Sequence, residues 1–194
     1  MHLRQYAPLI LLIQLLILST YSVHQTQPIK VNPNTESSPS NFIFYFSLDY
    51  TLPSDGYLLV TFSPFTGTAD PLSCIMLDHN STTTTKCVNL NTATSDDITI
   101  NQADINEINP NIYASRTVVV QFSEDLSPST EYKIQIMTDN VLPNIGSITS
   151  SLEMYAVTGT GMFIEENWNF GQVFLEPKQN KVLSVLNRNV MTNN

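Results

Sequence analysis

Between residues 42 and 50 the chain alternates. Phe42, Phe44, Phe46, Leu48 and Tyr50 fall on one face, and Ile43, Tyr45, Ser47 and Asp49 on the other. A period of two is the signature of a β-strand. Leu52, Pro53, Ser54, Asp55 and Gly56 then supply turn residues before a second aromatic and β-branched run over 57–62. Shorter candidate strands cover 73–77 and 85–90, joined by the polar tip 78–84, with a weaker one at 97–101. After a polar, Asn-rich stretch over 103–111, strands are predicted at 117–122 and 131–137 around the turn 123–130, and at 152–157. No long stretch of the mature chain repeats apolar residues at i, i+3, i+4 and i+7, so little helix is expected. Short strands separated by turn signals argue for an all-β, antiparallel β-sandwich over residues 41–158.

The two ends read differently. Residues 1–22 place His2 and Arg4 before an apolar run over 7–18, followed by Ser19, Thr20, Tyr21 and Ser22. That order is the n-region, h-region and cleavage site of a secretory signal peptide, with cleavage expected after Ser22. The apolar run is about 12 residues, roughly 18 Å as a helix, against a hydrocarbon core of about 30 Å. No stable membrane span is therefore expected in the mature chain. Residues 23–40 hold Pro28, Pro33 and Pro39 among polar residues and read as an extended leader, with the folded part starting near Asn41. Beyond Thr158, Gly159, Thr160 and Gly161 the apolar pattern resumes, with Trp168 and Phe170 prominent, and again over 182–186. Residues 159–194 are either additional strands or the start of a second module, and the chain is either whole or a fragment of a longer protein.

Charge narrows the partners. The formal net charge is −9, and removing the signal with its Arg4 lowers it by one more. The remaining Lys and Arg are scattered singly, so nucleic acid is excluded as a partner, because phosphate binding needs clustered bases. Low charge density with abundant Thr, Ser and Asn suits half-buried strands with uncharged outer faces.

Candidate chemistry is sparse. Cys74 and Cys87 sit on the two consecutive strands flanking the polar tip, and an even cysteine count in a secreted chain predicts a disulfide between them. Asn80, Ser81 and Thr82 form a sequon at that tip, marking Asn80 for glycosylation. After signal removal only His24, in the leader, and His79, in the disulfide loop, remain, so a Ser-His-Asp triad or a His-based zinc site would have to be built from His79 alone, which reads instead as a solvated loop residue. Glu165 with Glu166 and Asp96 with Asp97 are adjacent, so on a strand each pair points to opposite faces and converges on no single bond. Asp104, Asn106 and Glu107 offer oxygens in an order like a scrambled cadherin calcium linker, but a calcium ion wants six to eight and coincidence is the simpler reading. No glycine spacing matches a phosphate loop. Trp168, the single tryptophan, is expected as a core plug, the alternative being a platform for stacking a sugar. No catalytic residue, metal site or cofactor is predicted.

The order of Leu52-Pro53-Ser54-Asp55-Gly56-Tyr57, then Cys74 and Cys87, then Tyr132-Lys133-Ile134-Gln135-Ile136 and Val141-Leu142-Pro143-Asn144 resembles the immunoglobulin-like modules of large secreted or surface proteins of ciliated protists. The likeness spans roughly residues 42–157 and departs at 141–145, where Pro precedes Asn. It implies an immunoglobulin-like topology for the sandwich. Together these readings lead to the expectation of a non-catalytic structural or adhesion module, secreted or on the cell surface, with an unknown protein or glycan ligand. The alternatives are a secreted carbohydrate-binding module, with Trp168 and Tyr155 as its aromatics, and a non-catalytic N-terminal part of a larger secreted enzyme.

Overall fold

A computed structural model describes residues 22–32, 40–62, 70–77, 85–90, 116–139, 147–148 and 152–175. The strands, in chain order, are β1 (His24–Asn32), β2 (Ser40–Ser47), β3 (Tyr57–Thr61), β4 (Asp70–Leu77), β5 (Thr85–Asn89), β6 (Thr117–Phe122), β7 (Tyr132–Asp139), β8 (Ser147–Ile148), β9 (Leu152–Val157), β10 (Phe163–Gly171) and β11 (Phe174–Leu175). They form a four-stranded sheet in the order β1-β2-β7-β4 and a five-stranded sheet in the order β10-β9-β3-β6-β5; β8 and β11 pair separately. Every pairing is antiparallel. Among the described residues there is no α-helix, in line with the all-β expectation.

Registers explain how the two sheets share one core. In the first sheet Phe42 lies opposite Ile136, Phe44 opposite Ile134 and Phe46 opposite Tyr132, so the alternating face of β2 meets the alternating face of β7. In the second, Leu58 sits between Val120 and Ala156, and Val60 between Val118 and Met154. All of these side chains belong to one buried cluster, which Leu48, Leu52, Leu126 and Phe170 complete. At its centre Phe62 packs edge-on against Phe42 and Phe44, with ring centroids 5.0 and 6.1 Å apart.

The other face of the five-stranded sheet is apolar as well. Tyr57, Leu59, Val119, Tyr155 and Val157 form a second buried cluster, with Val88 and Phe163 against it. The central strands are thus buried on both faces, which is why β3 and β6 read as continuous apolar runs rather than alternations.

Turns follow local chemistry. The Gly56 N–H donates to the Pro53 carbonyl at 2.8 Å, closing the predicted turn. A Cβ on Gly56 would lie 2.7 Å from both the Val157 carbonyl oxygen and Leu52 Cδ1, so this close approach admits only glycine. Leu52 and Leu126 exchange two backbone hydrogen bonds of 3.0 and 2.8 Å, joining the β2–β3 and β6–β7 connections. The Tyr132 hydroxyl accepts from the Ser127 N–H at 2.6 Å and donates to the Ser127 carbonyl at 3.2 Å, holding the β6–β7 turn from inside.

Two expectations differ at the N-terminal side. Residues 24–32, read as leader, are extended but paired with β2 as an edge strand. Val23 is fully buried, and Ile29 and Val31 pack on the core. Few apolar residues suffice because only alternate positions of β1 turn inward, the rest facing solvent, and Pro28 is tolerated between register slips at Gln25/Gln27 and Gln27/Lys30. β2 in turn stops at Ser47, so Tyr50, expected on the core face, is 45% exposed. The predicted strands at 97–101 and 182–186, the acidic stretch over 104–107 and the residues His79 and Asn80 lie outside the described residues.

Candidate functional site

The sulfurs of Cys74 and Cys87 are bonded, with Cα atoms 6.0 Å apart. Cys74 lies opposite Ile136 and Cys87 opposite Val120, both in core-facing rows. Because β4 edges one sheet and β5 the other, the bond runs between sheets; the strands flanking the polar tip do not form the hairpin that their sequence order suggests. The Thr85 hydroxyl adds a hydrogen bond to the Cys74 carbonyl across the same gap. One open side of the fold is therefore closed covalently.

The opposite side, where edge strands β1 and β10 meet, is closed by polar groups. Glu165 and Asn167 lie opposite Ala156 and Met154, so both project from the core-facing side of β10. The Asn167 amide donates to the Val23 carbonyl at 2.7 Å, and its oxygen accepts the Asn169 N–H at 2.9 Å. Glu165, only 2% exposed, accepts the Tyr50 N–H through Oε1, while its buried Oε2 has no hydrogen-bond partner. Burial raises its pKa above the ordinary carboxylate value; donated backbone N–H groups of Asp49 and Tyr50 oppose that, the Asp49 charge adds to it and His24 opposes it. His24 and Asp49 themselves pair at 3.0 Å. Among the described residues no three His, Cys, Asp or Glu side chains form a metal-holding group.

Further along β10 stands Trp168. Expected as a core plug, it is 63% exposed. The pairing of β10 with β9 slips between Asn167 and Gly171, and such a bulge re-aims the side chains within it. Ser22, Glu166, Asn167, Trp168 and Asn169 line a hollow of about 290 Å³. A second hollow, of about 300 Å³, is bounded by Ser54, Lys86, Gln121, Phe122 and Ser123. Tyr155, the other aromatic considered for ligand stacking, is buried in the second cluster, and its hydroxyl donates to Glu153 Oε2 at 2.6 Å. Burial first, and then this hydrogen bond, raise its pKa and keep the phenol protonated.

Adjacent Glu165 and Glu166 do point apart, as strand geometry requires: Glu165 lies opposite Ala156 of the main core, Glu166 opposite Tyr155 of the outer cluster. The signal that exposed Trp168 was available only indirectly, in the polar company of Asn167 and Asn169. Nothing in the sequence pointed to Glu165 as a junction residue, because its partners stand more than 100 positions away.

No protein-family model matches the chain, and no curated protein sequence matches it. Among solved structures it shows a likeness to one titled "Crystal structure of BslA - A bacterial hydrophobin", at 15% identity, covering 84% of this chain and 98% of that one, with a TM-score of 0.37. A likeness at that score carries no argument about function.

Proposed function

We propose that this chain is a non-catalytic extracellular module with a structural or adhesive role, built on an immunoglobulin-like β-sandwich. The observation that carries the reading is the bond between Cys74 and Cys87, which uses both cysteines of the chain to tie opposed edge strands together. An oxidised pair built into the fold belongs to an oxidising compartment, in keeping with the signal-like N-terminus. Strand order supports the topology: β1-β2-β7 and β10-β9-β3 follow the A-B-E and G-F-C arrangement of immunoglobulin domains, with β4 at the position of D and β6 and β5 extending the sheet beyond C. The departure is in the connection, since β4 precedes β5 and β6 in the chain. The test is to coat beads with the secreted protein and measure bead–bead and bead–surface adhesion. Adhesion that survives glycan competitors and is lost on unfolding supports the reading. Hydrolase or transferase turnover abolished by a single acidic or Ser substitution overturns it.

A second reading, a carbohydrate-binding module, is favoured by Trp168. An exposed indole beside amide and carboxylate side chains is the chemistry that stacks a sugar ring and bonds its hydroxyls. Binding on a glycan array that Trp168→Ala removes supports this reading over the first, and silence of the array removes it.

A further inference from the structure

Removal of a signal peptide after Ser22 makes a new chemical group. Hydrolysis of the Ser22–Val23 peptide bond by a processing peptidase consumes one water and leaves a carboxylate on Ser22 and an ammonium on Val23. Most new termini hang free in solvent. Val23 does not: its side chain is 0% exposed and its carbonyl is held by Asn167.

Two observations bring Glu165 to the same β1–β10 junction as Val23. Asn167, which holds the Val23 carbonyl, is two residues from Glu165 on the same face of β10, a spacing of roughly 6.5–7 Å. The residue on the other side of Val23, His24, pairs with Asp49 and acts electrostatically on Glu165. Glu165 itself is buried with one carboxylate oxygen unpartnered. An ionised carboxylate in that state is costly, and an ammonium supplies both the opposite charge and the missing donors.

We propose that Glu165 is the receiving group for the mature amino terminus: the Val23 ammonium pairs with its unpartnered oxygen and fastens β1 to β10. The proposal rests on the signal-peptide reading. Asp49 and His24 are the other titratable groups acting on the carboxylate, since Glu166 lies on the opposite side of the strand. Their own pair leaves the Glu165 oxygen to the terminus. Maturation thereby completes the polar closure that faces the disulfide across the fold.

The experiment uses the full chain secreted from a eukaryotic host, as wild type, as Glu165→Gln, and as both again with one alanine inserted between Ser22 and Val23. N-terminal sequencing comes first. With a native Val23 terminus, the α-amine should titrate at least one pH unit above the ordinary range of about 7.7–8.0 and return to it in Glu165→Gln, read by NMR of labelled valine. Glu165→Gln should lower the denaturation midpoint of the native-terminus protein and leave that of the inserted protein equal or higher. An ordinary amine pKa, together with equal effects of Glu165→Gln in both backgrounds, overturns the Glu165 assignment. A terminus at another residue overturns the signal-site reading instead, and the ammonium is then not at Val23.

Discussion

Cys74 and Cys87 are 13 positions apart in the chain yet edge opposite sheets, so the bond between them is a cross-brace and not the staple of a hairpin. Its counterpart is the Asn167–Val23 hydrogen bond, which spans 144 positions on the other side. The two sides fail differently: reductant opens the first, whereas the second contains a buried carboxyl, Glu165, whose protonation follows pH.

Breaking the covalent side removes a loop of about 14 residues from the denatured chain's constraints. Cys74→Ala with Cys87→Ala should therefore cost roughly 3 kcal/mol, read as a shift in the denaturant midpoint that reductant reproduces in the wild type. A midpoint insensitive to reductant while thiol titration shows the bond cleaved would contradict the brace.

Trp168 is the only tryptophan, so its fluorescence reports one site. The native protein should emit at the long wavelengths of a solvated indole and be quenched readily by acrylamide. Trp168→Ala should change stability by no more than about 0.5 kcal/mol, as at other exposed positions. A core plug would lose several times that.

Phe44 touches Phe42, Phe62 and Phe170 within the shared core. Phe44→Ala should destabilise by about 3–5 kcal/mol, the transfer and cavity cost of a buried ring. Chemical denaturation checks it, and a cost below 1.5 kcal/mol by that assay would mean the sheets do not close on this ring.

Tyr132→Phe keeps the ring between Phe46 and the core but removes the hydroxyl that both accepts from and donates to Ser127. The expected loss is about 1 kcal/mol, with hydrogen exchange at the Ser127 amide accelerating. Unchanged exchange there would show that the hydroxyl does not hold the turn.

Where residue 22 still precedes Val23, the raised Glu165 pKa has a definite sign. The folded state holds this proton more tightly than the unfolded one, so the contribution to stability is full below about 4.5 and is lost as pH rises through the native value. Comparing midpoints of wild type and Glu165→Gln across that window should give a gap that changes with pH. Parallel curves would mean the carboxyl is solvated in solution.

The alternation of Phe42, Phe44 and Phe46 and the turn at Pro53 to Gly56 were legible because each depends on neighbours within a few residues. The same holds for β6 and β7, whose β-branched and aromatic residues name a strand by themselves. Sheet membership was not legible. Cysteine parity predicts a bond, but only the assembled sheets decide that it crosses the core. Pairing likewise turned residues 24–32 into β1, since the hydrogen bonds that hold an edge strand come from β2 and leave no mark in its own polar sequence. Trp168 and Glu165 carry the same lesson at the level of side chains. A bulge in β10 turns the largest ring outward, and the β2–β3 connection folds over a carboxylate that composition would have left in water. Local periodicity selects the strands, because that information is contained within each segment; burial and function-bearing exposure are set by contacts between segments that only the folded chain brings together.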